Sequence, residues 1–208
     1  MKHQSSSFGR RAFLLGLAGA AALLGSAGSG STLSLAAEIA RAATPSGTDP
    51  RRILIVFYSR SGNTRELAGE LQSICGGRLA ELQPQVPYSS DYNATVERFR
   101  EERAGGVTPP IKPLGIDIRD YDAVLIGSPS WGGSVAPPVW TFLKENDLAG
   151  KRVAVFITHG GSGLGHAEED VRARAPKAVL LEGFARAGRS VGTARSAAAS
   201  WLKRIGLA

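Results

Sequence analysis

Ile53 to Tyr58 is an unbroken run of six apolar residues, and Ser59-Arg60-Ser61-Gly62-Asn63-Thr64 follows at once. The run is too short for a helix and rich in β-branched and aromatic residues. It reads as a strand buried on both faces, which places it inside a parallel sheet. Beyond it, Glu66, Leu67, Ala68, Leu71 and Ile74 recur at helical spacing. A buried strand, a small polar turn and a helix start make half of a βαβ unit. Such a turn aims backbone N–H groups and hydroxyls at one spot, on the positive end of a helix. It is a cradle for a phosphate.

The rest of the chain repeats the alternation. A second short strand is expected over Leu79 to Leu82, ended by Pro84 and Pro87. Tyr92, Val96 and Phe99 give helical spacing, with Glu97, Arg98, Arg100, Glu101, Glu102 and Arg103 as a solvated, salt-bridged face. Tyr121 to Gly127 is the next buried strand and runs into Ser128-Pro129-Ser130-Trp131-Gly132-Gly133. A helix follows Pro137-Pro138, since proline suits a first helical turn. Arg152 to Thr158 is a strand running into His159-Gly160-Gly161-Ser162-Gly163. A helix over about 166–175, a last strand over Ala178 to Phe184 and a closing helix over Thr193 to Ile205 complete the order. Strands alternating with helices imply a parallel sheet covered on both faces. Ligands of such sheets bind at the carboxyl ends of the strands. Three strand ends here carry loops rich in Gly, Ser and Thr.

The N-terminal part has a different composition. Lys2 and Arg10-Arg11 precede an uncharged Ala/Leu/Gly-rich stretch over Ala12 to Ala27. Positive start, moderately apolar middle and small residues beyond are the order of a secretory signal. The arginine pair followed by Phe and Leu resembles the twin-arginine export signal, with Gly9 and Leu15 departing from its usual residues. Residues 1–43 are therefore expected to be an export signal, 44–51 a linker and 52–208 one domain. The expected location is periplasmic or extracellular, with no stable membrane span once the signal is removed.

The formal charge is +7, of which residues 1–43 supply +3 through Lys2, Arg10, Arg11 and Arg41 against Glu38. The remaining basic charge is spread along the domain without a dense Lys/Arg stripe, so nucleic acid is not an expected partner. Cys75 is the only cysteine, which excludes an intramolecular disulfide, a CxxC redox pair and a cysteine zinc cluster.

The first loop lacks the lysine of a triphosphate-binding Walker loop and the second and third glycines of a dinucleotide fingerprint. Its hydroxyls suit a terminal monophosphate held by neutral donors. Here Tyr58-Ser59-x-x-Gly62-Asn63-Thr64, then Gly127-x-Pro129-x-Trp131-x-Gly133, then Thr158-His159-Gly160-Gly161-Ser162-Gly163 resemble the flavodoxin family over about residues 52–208. The resemblance implies a flavodoxin-like α/β three-layer sandwich with a five-stranded parallel sheet in order 2-1-3-4-5, the order for which flavodoxin is itself a standard example. It implies FMN as cofactor, with Ser59, Arg60, Ser61, Gly62, Asn63 and Thr64 on the phosphate. Pro129, Ser130, Trp131, Gly132 and Gly133 would line one side of the flavin and ribityl chain. His159, Gly160, Gly161, Ser162 and Gly163 would line the other. No catalytic side chain and no metal is implied. Trp131 either stacks on the ring or fills the core, whereas Trp140 and Trp201 sit at helical spacing and read as core. His159 either donates a proton or only shapes its loop.

This sequence is basic where better-known flavodoxins are acidic, and it has His159 and glycines where many carry a tyrosine over the flavin. The expected function is an exported electron carrier serving a redox partner protein or a small-molecule acceptor. An FMN-dependent NAD(P)H:quinone or small-molecule reductase would share the same loops.

Overall fold

The computed structural model describes residues 49–208. The expected export signal and most of the expected linker lie outside the described residues. Strand β1 (Ile53–Phe57) is fully buried and pairs in parallel with β2 (Arg78–Glu81) on one side and β3 (Ala123–Trp131) on the other. Strand β5 (Arg152–His159) pairs in parallel with β3. Two short pieces, β6 (Val179–Leu180) and β7 (Phe184–Ala187), both pair with β5. With the pieces counted as one interrupted strand, the order is the expected 2-1-3-4-5.

Alternation of side chains along the strands feeds two cores. Leu54, Val56, Val124, Ile126, Val155 and Ile157 face one way and pack on helices α2 (Tyr92–Ala104), α3 (Pro137–Glu145) and α4 (Ala167–Arg174). Ile53, Ile55, Phe57, Leu125, Ala154 and Phe156 face the other way, onto α1 (Asn63–Cys75) and α5 (Arg195–Arg204). Each fully buried aliphatic side chain contributes roughly 1.5–3 kcal/mol of transfer free energy, so the double-faced burial holds three layers together. Trp140 and Trp201 are both core residues, and Cys75 is buried at the end of α1. Gly127 stands mid-sheet between Phe57 and Phe156, and a Cβ there would strike the Phe156 ring.

Three expectations are corrected. The expected loop at 128–133 is largely strand: β3 continues to Trp131 and folds back antiparallel as β4 (Ser134–Val135). Gly132 and Gly133 form the two-residue turn with φ of +59° and +81°, the sign of torsion a tight hairpin needs at both positions. The last strand is split at Leu181 to Gly183, because neighbouring helices take its polar groups. The Glu168 carboxylate of α4 accepts from the Gly183 N–H at 2.6 Å, and the Trp201 indole of α5 donates to the Glu182 carbonyl at 2.9 Å.

The third correction concerns α2. Its buried residues are Thr95, Phe99 and Glu102, while Tyr92 is 68% exposed. Glu102 was expected on a solvated face. Its carboxylate instead accepts from the Tyr88 hydroxyl at 2.5 Å and the Arg98 guanidinium at 2.8 Å. Arg98 also lies 3.9 Å over the Tyr88 ring. A carboxylate supplied with two donors tolerates burial that an isolated one would not.

Candidate functional site

The carboxyl ends of β1, β3 and β5 open into one cleft of about 640 Å³. Its floor begins with the turn after β1. Gly62 caps α1 in the left-handed region, φ +96°, with no side-chain cap. Only glycine enters that region without steric cost. The Ser59 hydroxyl accepts from the Arg65 N–H at 3.2 Å, and the Gly62 carbonyl from the Glu66 N–H at 2.9 Å. The N–H groups of Asn63 and Thr64 have no protein acceptor among the described residues. Donors left free at a helix start form an anion site.

Thr64 is buried behind the turn, and its hydroxyl shares a 2.8 Å hydrogen bond with that of Thr158. This bond ties the start of α1 to the end of β5. The Arg60 guanidinium donates to the carbonyls of Ser89 and Ser90 at 3.4 and 3.1 Å, so it strings the turn to the segment before α2. Ser61 and Asn63 line the cleft.

The β3–β4 hairpin supplies Pro129, Ser130, Trp131 and Gly132 to the wall, and the end of β5 supplies His159 and Gly160. The two walls are joined. Ser130 and Ser162 share a hydrogen bond of 2.8 Å, and the His166 N–H donates to the Gly133 carbonyl at 2.6 Å. Gly165 passes so close to the Gly133 backbone that a Cβ would collide with it. Gly133, Gly161, Ser162, Gly163, Ser59, Gly62 and Thr64 are not among the residues that line the cleft.

Trp131 packs and lines at once. Its ring meets Tyr58 at 5.7 Å, Tyr88 at 4.8 Å and Phe99 at 5.6 Å, each near edge-on, a geometry that suits ring quadrupoles. Burial pushes the Tyr58 hydroxyl up to about 12, and burial with the Glu102 hydrogen bond raises that of Tyr88 further. Both phenols stay neutral behind the cleft.

Sequence reasoning missed a wall. One side of α2 contributes Tyr92, Val96, Phe99, Arg100 and Arg103, and Gly188 and Arg189 after β7 line the cleft as well. Tyr92, Val96 and Phe99 show helical spacing in the sequence, and Arg100 and Arg103 read there as a solvated face, because nothing local says that a sheet end lies beneath them. Thr158 was also missed, since its partner is 94 residues away.

The residues present fit FMN. A helix start with free N–H groups and hydroxyls meets a monophosphate. Gly160 and Gly161 have nothing within 4 Å of where a Cβ would be, so backbone can approach a flat ring there. His159 lines the cleft with its Nδ1 buried and without a hydrogen-bond partner.

Fold and site define a doubly wound α/β domain with an open cleft and an uncapped helix start at the sheet's carboxyl edge. The chain belongs to the flavodoxin family, whose cofactor is FMN: the family model described as flavodoxin (Flavodoxin_4) matches residues 52–205. A solved flavoprotein from Lactobacillus acidophilus NCFM, in complex with FMN, is 29% identical with a TM-score of 0.56, over 69% of this chain and 97% of that one. A structure from Bacteroides eggerthii DSM 20697, described as that of a candidate flavoprotein, is 29% identical with a TM-score of 0.63, over 74% and 97%. Among curated proteins, the NAD(P)H dehydrogenase (quinone) of Paracoccus denitrificans (strain Pd 1222) is 26% identical over 147 residues. The match covers 62% of this chain and 62% of that relative's length.

Proposed function

We propose that this chain is an exported FMN protein that transfers electrons through its bound flavin. The carrying observation is the turn at Ser61 to Thr64, where Ser61 and Asn63 line the cleft and the Asn63 and Thr64 N–H groups have no protein acceptor among the described residues. FMN, when bound, supplies a centre that accepts and returns one or two electrons. The chain's own residues do the rest. Ser61, Asn63 and the first N–H groups of α1 hold the phosphate. The clamped pair of walls, Ser130 to Ser162 and Gly133 to His166, fixes the width of the slot for the ring. Trp131, locked edge-on among three aromatic rings, excludes water from one side.

Export rests on the Arg10-Arg11 pair and the uncharged stretch after it. The twin-arginine route carries folded, cofactor-loaded proteins, which agrees with a flavin inserted before crossing. The test of the flavin reading is the visible spectrum of the purified protein. A yellow protein, or a colourless one that takes up added FMN, is expected; refusal of added FMN sinks the proposal. Retention of the Arg10→Lys, Arg11→Lys variant in the cytoplasm is the expected export result.

A second reading is an NAD(P)H:quinone reductase, favoured by the likeness to the Paracoccus enzyme and by the extra wall from α2. Anaerobic oxidation of NADH or NADPH by the FMN-loaded protein with a quinone separates the two. Turnover without a partner protein identifies the reductase.

A further inference from the structure

The three cofactor loops do not account for the whole cleft. The α2 side and the rim after β7 remain, and both carry arginine. Arg100 and Arg103 of α2 and Arg189 after β7 all line the cleft, and all three are exposed. None has a carboxylate or any other side-chain hydrogen bond among the described residues. Several arginines elsewhere in the domain are paired with carboxylates: Arg65 with Glu81, Arg98 with Glu102, Arg195 with Glu70, Arg204 with Glu182. Among the described residues, no carboxylate lines the cleft. Three guanidiniums without a protein carboxylate partner around one opening make a focused positive field.

The surface between them is apolar. Tyr92 is 68% exposed and Val96 lies one turn further on, both on the cleft side of α2. Arg103 reaches over Gly132, where its Nη1 would be 3.2 Å from a Cβ, so its charge stands beside the wall that Trp131 builds. Planar guanidinium groups suit oxyanions, and a tyrosine face suits a flat ring.

We infer that the cleft takes a second ligand beside the flavin: a flat aromatic molecule bearing a carboxylate, sulfonate or similar anion. The anion lies among Arg100, Arg103 and Arg189, and the aromatic body lies on Tyr92 and Val96. This rests on the flavin reading above and names the substrate class of the same cleft.

The test is binding of naphthalene-2-sulfonate, a redox-inactive probe, to the full FMN-loaded protein, followed by calorimetry. The neutral control is 2-naphthalenemethanol. Sulfonate is expected to bind about tenfold tighter than the alcohol, the weight of a charge-assisted hydrogen bond. That preference should shrink as salt rises from low ionic strength to 0.5 M. Arg100→Gln with Arg103→Gln should remove it, with FMN absorbance per protein unchanged. Arg172→Gln, which alters an arginine outside the cleft, should leave it intact. Equal affinity for the two probes, or an unaltered preference in the double variant, overturns the anion site while the yellow colour upholds the flavin reading. Wild-type protein that never takes up FMN fails the flavin reading itself.

Discussion

Thr64 and Thr158 join hydroxyls at 2.8 Å across 94 residues of chain, with both side chains buried. One sits at the first turn of α1 and the other near the end of β5, so the bond sets the cradle against the loop that follows His159. Thr158→Val keeps the shape and removes one partner. The Thr64 hydroxyl is then buried without its bond, which costs about 1–3 kcal/mol. Urea unfolding should report that loss, and FMN fluorescence titration should report weaker binding as the cradle loosens. Unchanged stability and affinity would mean that the bond positions nothing.

Two glycines separate conformational need from spatial need. Gly62 has open space around it but φ of +96°, so Gly62→Ala pays only in backbone strain, about 1–2 kcal/mol, and disturbs the N–H groups of the proposed phosphate site. Gly127 has no positive φ, but a Cβ there strikes Phe57 and Phe156. Gly127→Ala should overpack the sheet by about 1–3 kcal/mol. The expected contrast is in cofactor titrations: Gly62→Ala loses FMN affinity more than its stability loss explains, while Gly127→Ala loses stability first.

The alternation of strands and helices was legible because it rests on local patterns, whereas the strand order came with the likeness of three motifs to the flavodoxin family. The apolar run at Ile53 to Tyr58 sets a buried strand, and its small polar sequel sets the turn. What stayed hidden depends on distant partners. Glu102 reads as surface in its own helix, and only Tyr88 and Arg98 make its burial tolerable. The break at Gly183 needs Glu168 from another helix. The α2 wall needs the position of the sheet beneath it. The hairpin at Gly132-Gly133 lay within a stretch whose Gly and Ser content reads as loop, and its return strand is only Ser134–Val135.

Tyr58 gives the site a signature in alkaline solution. Burial raises its ionisation from an ordinary value of 10 to about 12. The folded state holds the proton more tightly than the unfolded one. The stability this contributes is fully present below pH 10 and is lost as pH rises from 10 through about 12. Absorbance at 295 nm should therefore show a late-titrating fraction that Tyr58→Phe reduces. Ionisation of every tyrosine near pH 10 with the fold intact would contradict the buried aromatic cluster behind Trp131.

Glu102 anchors the wall that the loops do not supply. Its carboxylate holds the Tyr88 hydroxyl and the Arg98 guanidinium, and Arg98 in turn donates to the carbonyls of Val86 and Pro87 at 3.0 and 3.1 Å. Glu102→Ala leaves the Arg98 charge and the Tyr88 hydroxyl without that partner in a half-buried setting. Removing one member of a buried pair costs about 3–5 kcal/mol, and partial exposure of Arg98 brings the expected loss to roughly 2–3 kcal/mol. Glu102→Gln retains an acceptor for Tyr88 and should recover about half of it. Because Phe99 and Trp131 touch on the same side of α2, the loosened helix should also open the cleft. Hydrogen exchange should quicken across Tyr92–Ala104 in Glu102→Ala, while protection in β1, β3 and β5 is retained. Uniform exchange change over the whole sheet would show that Glu102 acts on the fold at large rather than on this wall.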